Sequence, residues 1–140
     1  MDGRAEGRGS RVEGFEDLLV WQRARVLARQ IYDLTAAFPR DERFGLTAQF
    51  RRAAVSIPSN IAEGHQRHTT REFIRFISDA EGSVAEAHTH IATDLQYAGS
   101  ETISPLLTEL GEIRRMLNGL RRSLYARIRN SRPSTLDPRP

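Results

Sequence analysis

The sequence predicts an all-α protein, an antiparallel up-down-up-down bundle of four helices. In four separate segments, apolar residues recur at alternating steps of four and three, which is the spacing of one helix face. Short connections join the segments, and no stretch alternates apolar with polar residues as a half-buried strand would. The sustained repeat of about 3.5 residues predicts helices that cross at roughly 20° with a left-handed twist.

The first two helices are predicted over about residues 17–37 and 46–64. Pro39 stops the first, because the residue before a proline is pushed out of the α region. Pro58 lies inside the second, where it removes a backbone hydrogen bond and is expected to kink or split the helix. The two apolar stripes are Val20, Ala24, Leu27, Ile31, Leu34 and Phe38, then Leu46, Phe50, Ala53, Ala54, Ile57 and Ile61.

The last two helices have recognisable starting signals. Thr69 and Glu72 have the spacing of a capping box, so the third helix is predicted to begin there and to end at Gly99. Ser104 followed by Pro105 predicts the start of the fourth helix. The two stripes are Phe73, Ile77, Ala80, Val84, Ala87, Ile91, Asp94 and Ala98, then Leu106, Leu110, Ile113, Leu117, Leu120, Leu124 and Ile128.

A second line of residues on the third helix repeats at steps of seven: Phe76, Ser83, His90 and Tyr97. Either the core stripe of this helix is wide, or the second line is buried against another subunit. We favour the interface, with Phe76 and Tyr97 as its apolar residues. Such an interface would be heterologous if the subunits close a ring, so the bundle is interpreted as a subunit of a cyclic homo-oligomer.

The composition limits the domain organisation and the class of protein. A chain of 140 residues has room for one domain, predicted here over residues 15–129. Segments 1–14 and 130–140 are rich in glycine, proline and charge and are expected to be disordered tails. The chain has no cysteine, no apolar run of membrane length and no secretory signal, so a cytoplasmic protein without membrane contact is expected.

All 21 basic residues are arginine, and the formal net charge is +3. On the fourth helix the arginines lie off the leucine stripe, and a second group surrounds the start of the third helix. Arginine suits bidentate contacts with phosphate, so these side chains are the candidate nucleic-acid-binding residues. The alternative is a solvated face with ion pairs inside the helix. The candidates are Arg114, Arg115, Arg121, Arg122 and Arg129, with Arg67, Arg71 and Arg75.

Neither an enzyme site nor a metal site is predicted. There is no glycine-rich phosphate loop and no nucleophile–base pair in a motif context. The four histidines lack the glutamate three residues earlier that bundle metal sites use. His90 and Asp94 could hold one ion only weakly, and a half-buried histidine beside a carboxylate is the favoured interpretation. No cofactor is expected.

The segment QFRRAAVSIPSNIAEG, residues 49–64, closely resembles the signature of the four-helix-bundle proteins encoded in 23S rRNA intervening sequences. Three shorter pieces resemble the same family: FEDL with VWQ at residues 15–22, Phe38-Pro39 with Glu42, and GSVAE at residues 82–86. The resemblance covers about residues 15–125.

This resemblance implies a ring-like homopentamer, in which the net charge of each chain would be multiplied fivefold. It also implies kinship with the accessory variability proteins of diversity-generating retroelements, which are basic pentamers that bind a reverse transcriptase and nucleic acid. The expected function is therefore non-enzymatic binding of nucleic acid through arginine-rich surfaces. The alternative is a protein-interaction adaptor, such as an accessory subunit for a reverse transcriptase.

The motif residues themselves are interpreted as structural. Side chains around Pro58 can satisfy backbone groups that the proline frees. Asn60 with Glu63, and Ser83 with Glu86, lie three residues apart, so each pair shares a helix face. The hypothesis is that these four side chains meet as a polar cluster between the second and third helices. The structural set is Ser56, Pro58, Asn60, Glu63, Gly64, Ser83 and Glu86.

Overall fold

The chain folds into four α-helices in the computed structural model, which describes residues 14–93 and 98–131. One-turn 3-10 helices at Phe15–Asp17 and Arg40–Glu42 precede the first two α-helices. The described residues contain no strand, so the prediction of an all-α fold with four helices is confirmed. The helices are α1 (Leu19–Thr35), α2 (Leu46–His65), α3 (Thr70–Thr93) and α4 (Ser100–Ser131).

The predicted apolar stripes pack together into one core. Helix α2 packs against α1 and α3, and α4 packs against α3 and, less extensively, against α1. Burying a large apolar side chain completely contributes about 1.5–3 kcal/mol, so these contacts dominate the stability of the fold. The largest fully buried side chains are Phe50, Leu27, Ile31, Ile57, Ile61, Ile77, Ile91, Leu110, Ile113, Leu117 and Leu124.

The start of α4 differs from the prediction. The helix begins at Ser100, a full turn before Ser104, and Pro105 lies inside it. Proline removes one hydrogen bond, here to the carbonyl of Glu101, and both residues are exposed, so water can satisfy that carbonyl. The earlier start also brings Ile103 into the core, where it is 4% exposed.

Helix α2 continues through Pro58 without a break. The predicted split is therefore wrong, whereas a kink stays a prediction. Pro58 is buried, and the amide nitrogen of Asn60 donates a hydrogen bond of 2.9 Å to the carbonyl of Ser56. Asn60 thus binds a backbone group of this turn, but the carbonyl that the proline frees is that of Ala54, so the predicted satisfaction of the freed group by Asn60 is not observed.

The bounds of α1 and α2 and the start of α3 are close to the predicted ones, whereas α3 is described only to Thr93 and residues 98 and 99, before the predicted end at Gly99, are not helical. The capping interaction is confirmed, since the backbone N–H of Glu72 donates to the Thr69 hydroxyl at 3.1 Å. Helix α4 includes Asn130 and Ser131, which were predicted to belong to the C-terminal tail. Of the predicted tails, residues 1–13 and 132–140 lie outside the described residues.

Candidate nucleic-acid interface

Three of the five candidate arginines on α4 are exposed and carry no ion pair with a described residue. They are Arg114, Arg122 and Arg129. Residues Arg122 and Arg129 are two helical turns apart on one side of α4, and Arg114 lies toward α3. No described residue accepts a hydrogen bond from their guanidinium groups, each of which has five N–H donors for an anion.

The other two arginines of this series are held by protein groups. Arg115 bonds Glu112 one turn earlier at 2.7 Å, and this hydrogen bond is the main cause that lowers the pKa of Glu112. Arg121 is half-buried and bonds Glu81 of α3 at 3.1 Å and Asn118 at 2.8 Å. Arg121 therefore ties α4 to α3, and the predicted open row of five arginines is reduced to three.

A groove runs along the α3–α4 face beside these arginines. Two adjoining pockets of about 300 and 390 Å³ share Arg114 as a lining residue. His88 and Asn118 also line these pockets, and neither was predicted as a site residue, because neither belongs to a recognisable sequence motif. The first pocket is lined by Glu81, Arg114, Arg115, Asn118 and Arg121, and the second by Val84, Ala85, His88, Leu107, Leu110, Gly111 and Arg114.

The second arginine group surrounds Phe76 at the start of α3. The guanidinium carbons of Arg67 and Arg75 lie 4.8 and 5.1 Å from the centre of the Phe76 ring. Arg67 also bonds Glu63 at 2.8 Å, whereas Arg71 is exposed and has no ion pair with any described residue. This group therefore offers fewer unpaired charges than the sequence suggested.

The second line of residues on α3 packs against α2 of the same chain. A Cβ built on Gly64 would lie 2.6 Å from the Cβ of Phe76, which shows how closely the two helices approach. The His90 ring stacks on buried Phe50, with ring centres 5.6 Å apart. These contacts favour the wide-core alternative, so a subunit interface at Phe76 stays a prediction, and Tyr97 lies outside the described residues.

The proposed polar cluster between α2 and α3 does not form among the described side chains. Glu63 bonds Arg67, and an oxygen of Glu86 lies 3.7 Å from the Nε2 of His90 on its own helix. The register explains this. Gly64 lies against Phe76, so its neighbour Glu63 is beside the turn of α3 that contains Phe76. Glu86 is ten residues, or about 15 Å, further along α3.

The described residues hold neither a metal-binding cluster nor a membrane-spanning helix. No group of three or more histidine or acidic side chains that could hold a metal ion occurs in residues 14–93 and 98–131. Asp94, the suggested partner of His90, is not among those residues. Over the same ranges, no helix combines the length and the apolar character needed to cross a membrane.

A comparison with curated proteins gives no match. A family model does match: that of the 23S rRNA-intervening sequence protein, over residues 16–119. The match includes α1, α2, α3 and more than half of α4, and with them the SIPSNIAEG motif and the turn that carries Arg114 and Arg115. The chain therefore belongs to the 23S rRNA-intervening sequence protein family.

Proposed function

We propose that this protein binds the phosphate backbone of nucleic acid, without catalysis, through the α3–α4 face. The observation that carries the proposal is that three candidate arginines of α4 are exposed and have no ion pair with a described residue: Arg114, Arg122 and Arg129. They extend over about 22 Å of helix at 1.5 Å per residue, a length that spans several phosphates of one strand. Contacts of this kind position a protein on nucleic acid without selecting a sequence.

We further propose that the helices run antiparallel, which brings the end of the α4 arginine series, near Arg129, close to the second arginine group at the start of α3. In support, Glu81 of α3 bonds Arg121 of α4, while His88, further along α3, shares a pocket with the earlier Arg114. Arg75 precedes Glu81 by six residues, and Arg127 follows Arg121 by six. If α3 and α4 continue antiparallel, these two arginines lie at the same height along the bundle. Arg71 then extends the basic surface around Arg129.

The family resemblance supports assembly into a cyclic homopentamer. Two apolar side chains on α1 favour an interface on that helix. Leu19 is 57% exposed and Val26 is 46% exposed, and the seven-residue spacing places them on one face. Light scattering is expected to give five times the chain mass of 15.9 kDa. In such a ring each arginine surface would be repeated, and the electrostatic attraction to a polyanion would increase.

A salt titration of the wild-type protein tests the proposed function. Binding to labelled RNA and DNA of several unrelated sequences is measured by fluorescence anisotropy from about 50 to 200 mM salt. The affinity is expected to fall linearly on logarithmic axes, with a slope near −0.9 per phosphate contacted on duplex DNA. Absence of binding at the lowest salt concentration would contradict the proposal.

A protein-interaction adaptor is the second candidate, and the same face provides the reason. Leu107 and Tyr125 are 36% and 44% exposed there, beside the arginines. Tyrosine and arginine are enriched at protein interfaces, and a mixed apolar and basic surface fits an acidic partner such as a reverse transcriptase subunit. This candidate predicts binding to the partner protein with no measurable affinity for nucleic acid alone.

A further inference from the structure

A separate pocket lies where α1 ends and α2 begins, away from the α3–α4 face. Its volume is about 250 Å³, which is ample for a phosphate group. Three of its lining residues are arginines, and none is acidic. The lining residues are Thr35, Ala36, Phe38, Pro39, Arg40, Arg43, Thr47 and Arg51.

Arg51 is held in a fixed position by neutral groups. Its Nε donates to the Thr35 hydroxyl at 2.7 Å, and one terminal nitrogen donates to the Tyr32 carbonyl at 3.1 Å. The guanidinium carbon also lies 4.4 Å from the centre of the Tyr32 ring. These contacts use two of the five N–H donors, so three donors and the full positive charge remain for another group.

Thr47 supplies a buried polar group to the lining of this pocket. Only 6% of its surface is exposed, and its hydroxyl makes no hydrogen bond with any described residue. Leaving a buried hydroxyl unpaired costs free energy, which a ligand in the adjoining pocket could recover. Thr47 is also the second residue of α2, whose N-terminus has no side-chain cap and so presents free N–H groups.

We propose that this pocket binds a phosphomonoester group, with Arg40, Arg43 and Arg51 as the cationic ligands. The Thr47 hydroxyl and the first N–H groups of α2 would complete the site, since helix N-termini and arginine both favour phosphate. The ligand would be either a small phosphorylated molecule or the terminal phosphate of a nucleic-acid strand.

Neither of the two acidic residues nearby lines the pocket. Asp41 and Glu42 belong to the 3-10 turn between Arg40 and Arg43. The Oε1 of Glu42 would lie 3.8 Å from a Cβ built on Gly45. The charged side chains that line the pocket are therefore all arginines.

Thermal unfolding in inorganic phosphate, compared with chloride at equal ionic strength, tests the site. Phosphate is expected to raise the Tm of the wild-type protein by a few degrees at saturating concentrations. Arg40→Gln with Arg43→Gln is expected to weaken the affinity for phosphate at least tenfold. Both side chains are exposed, so the double variant should fold as the wild type does.

The control removes the same charge from elsewhere. Arg29 and Arg52 are exposed and line none of the described pockets, so Arg29→Gln with Arg52→Gln should keep the full phosphate effect. Thr47→Val should leave the Tm in chloride unchanged or higher while it reduces the phosphate effect. No phosphate-specific rise in the wild type, or an equal loss in both double variants, would overturn the proposal.

Oligonucleotides with a 5′-phosphate or a 5′-hydroxyl, and a nucleoside monophosphate, distinguish the two sources of the ligand. Tighter binding of the phosphorylated strand, lost in the Arg40→Gln, Arg43→Gln variant, assigns the site to a strand end. Binding of the monophosphate with equal affinities for both strands assigns it to small molecules. The phosphate effect on the Tm can be present or absent whether or not the α3–α4 face binds nucleic acid, because the proposed phosphate site uses no arginine of that face.

Discussion

Replacing Gly64 by alanine is expected to lower the free energy of unfolding by about 1–2 kcal/mol net, because overlap with two side chains places the overpacking cost in the upper part of the usual range of roughly 1–3 kcal/mol. The new Cβ would lie 2.6 Å from the Cβ of Phe76 and 2.9 Å from the Cδ1 of Phe73. A Cβ is fixed to its own helix, so α2 and α3 would have to move apart. The gain in helix propensity from glycine to alanine, about 1 kcal/mol, offsets only part of this cost.

Two other glycines in helices provide matched controls. A Cβ on Gly82 or on Gly119 would meet no atom within 4 Å. Gly82→Ala and Gly119→Ala therefore gain helix propensity alone and should each raise the free energy of unfolding by about 0.5–1 kcal/mol. Urea unfolding measures all three variants. If Gly64→Ala were as stable as the two controls, α2 and α3 would not approach at this glycine.

The role of Gly64 illustrates what the sequence could not predict. The second helix was predicted to end at Gly64, and α2 does end one residue later, at His65. The need for glycine comes from Phe73 and Phe76, which belong to the next helix. Such a contact depends on the register between two helices, whereas a hydrophobic stripe depends only on the period within one.

Replacing three exposed arginines of α4 that have no ion pair with a described residue by glutamine is expected to lower nucleic-acid affinity by two to three orders of magnitude at about 0.1 M salt. The variant carries Arg114→Gln, Arg122→Gln and Arg129→Gln. Each lost phosphate contact removes about 0.9 from the magnitude of the salt slope on duplex DNA, so the slope should decrease by up to about 3. Because all three side chains point into solvent, helicity and stability should change little.

A charge-matched triple variant separates this site from a general effect of charge. Arg25, Arg29 and Arg52 are exposed on α1 and α2, away from the α3–α4 groove. Their replacement by glutamine should change affinity by less than tenfold and leave most of the salt slope. Equal losses in the two triple variants would mean that net charge alone, and no particular face, determines binding.

The apolar periodicity was sufficient to predict the four helices and their buried faces. Leu110, Ile113, Leu117 and Leu124, for example, were placed in the core by spacing and are at most 1% exposed. The candidate site was predicted less completely. From the sequence, Arg121 was predicted to be as available to an anion as the other arginines of α4. Its partner Glu81 lies on another helix, 40 residues away in sequence. Pairing of charges across helices decides which arginines remain available.

Photochemical cross-linking from a single cysteine tests the central claim, that the α3–α4 face contacts nucleic acid, most directly. The native chain has no cysteine, so a photoreactive probe can be attached at one position only. Tyr125→Cys places it between Arg122 and Arg129, and Val55→Cys places it on α2; the native side chains are 44% and 39% exposed. Labelled nucleic acid is expected to cross-link to the probe at position 125 and only weakly at position 55. Equal yields at both positions, or a higher yield at position 55, would contradict the assignment of this face.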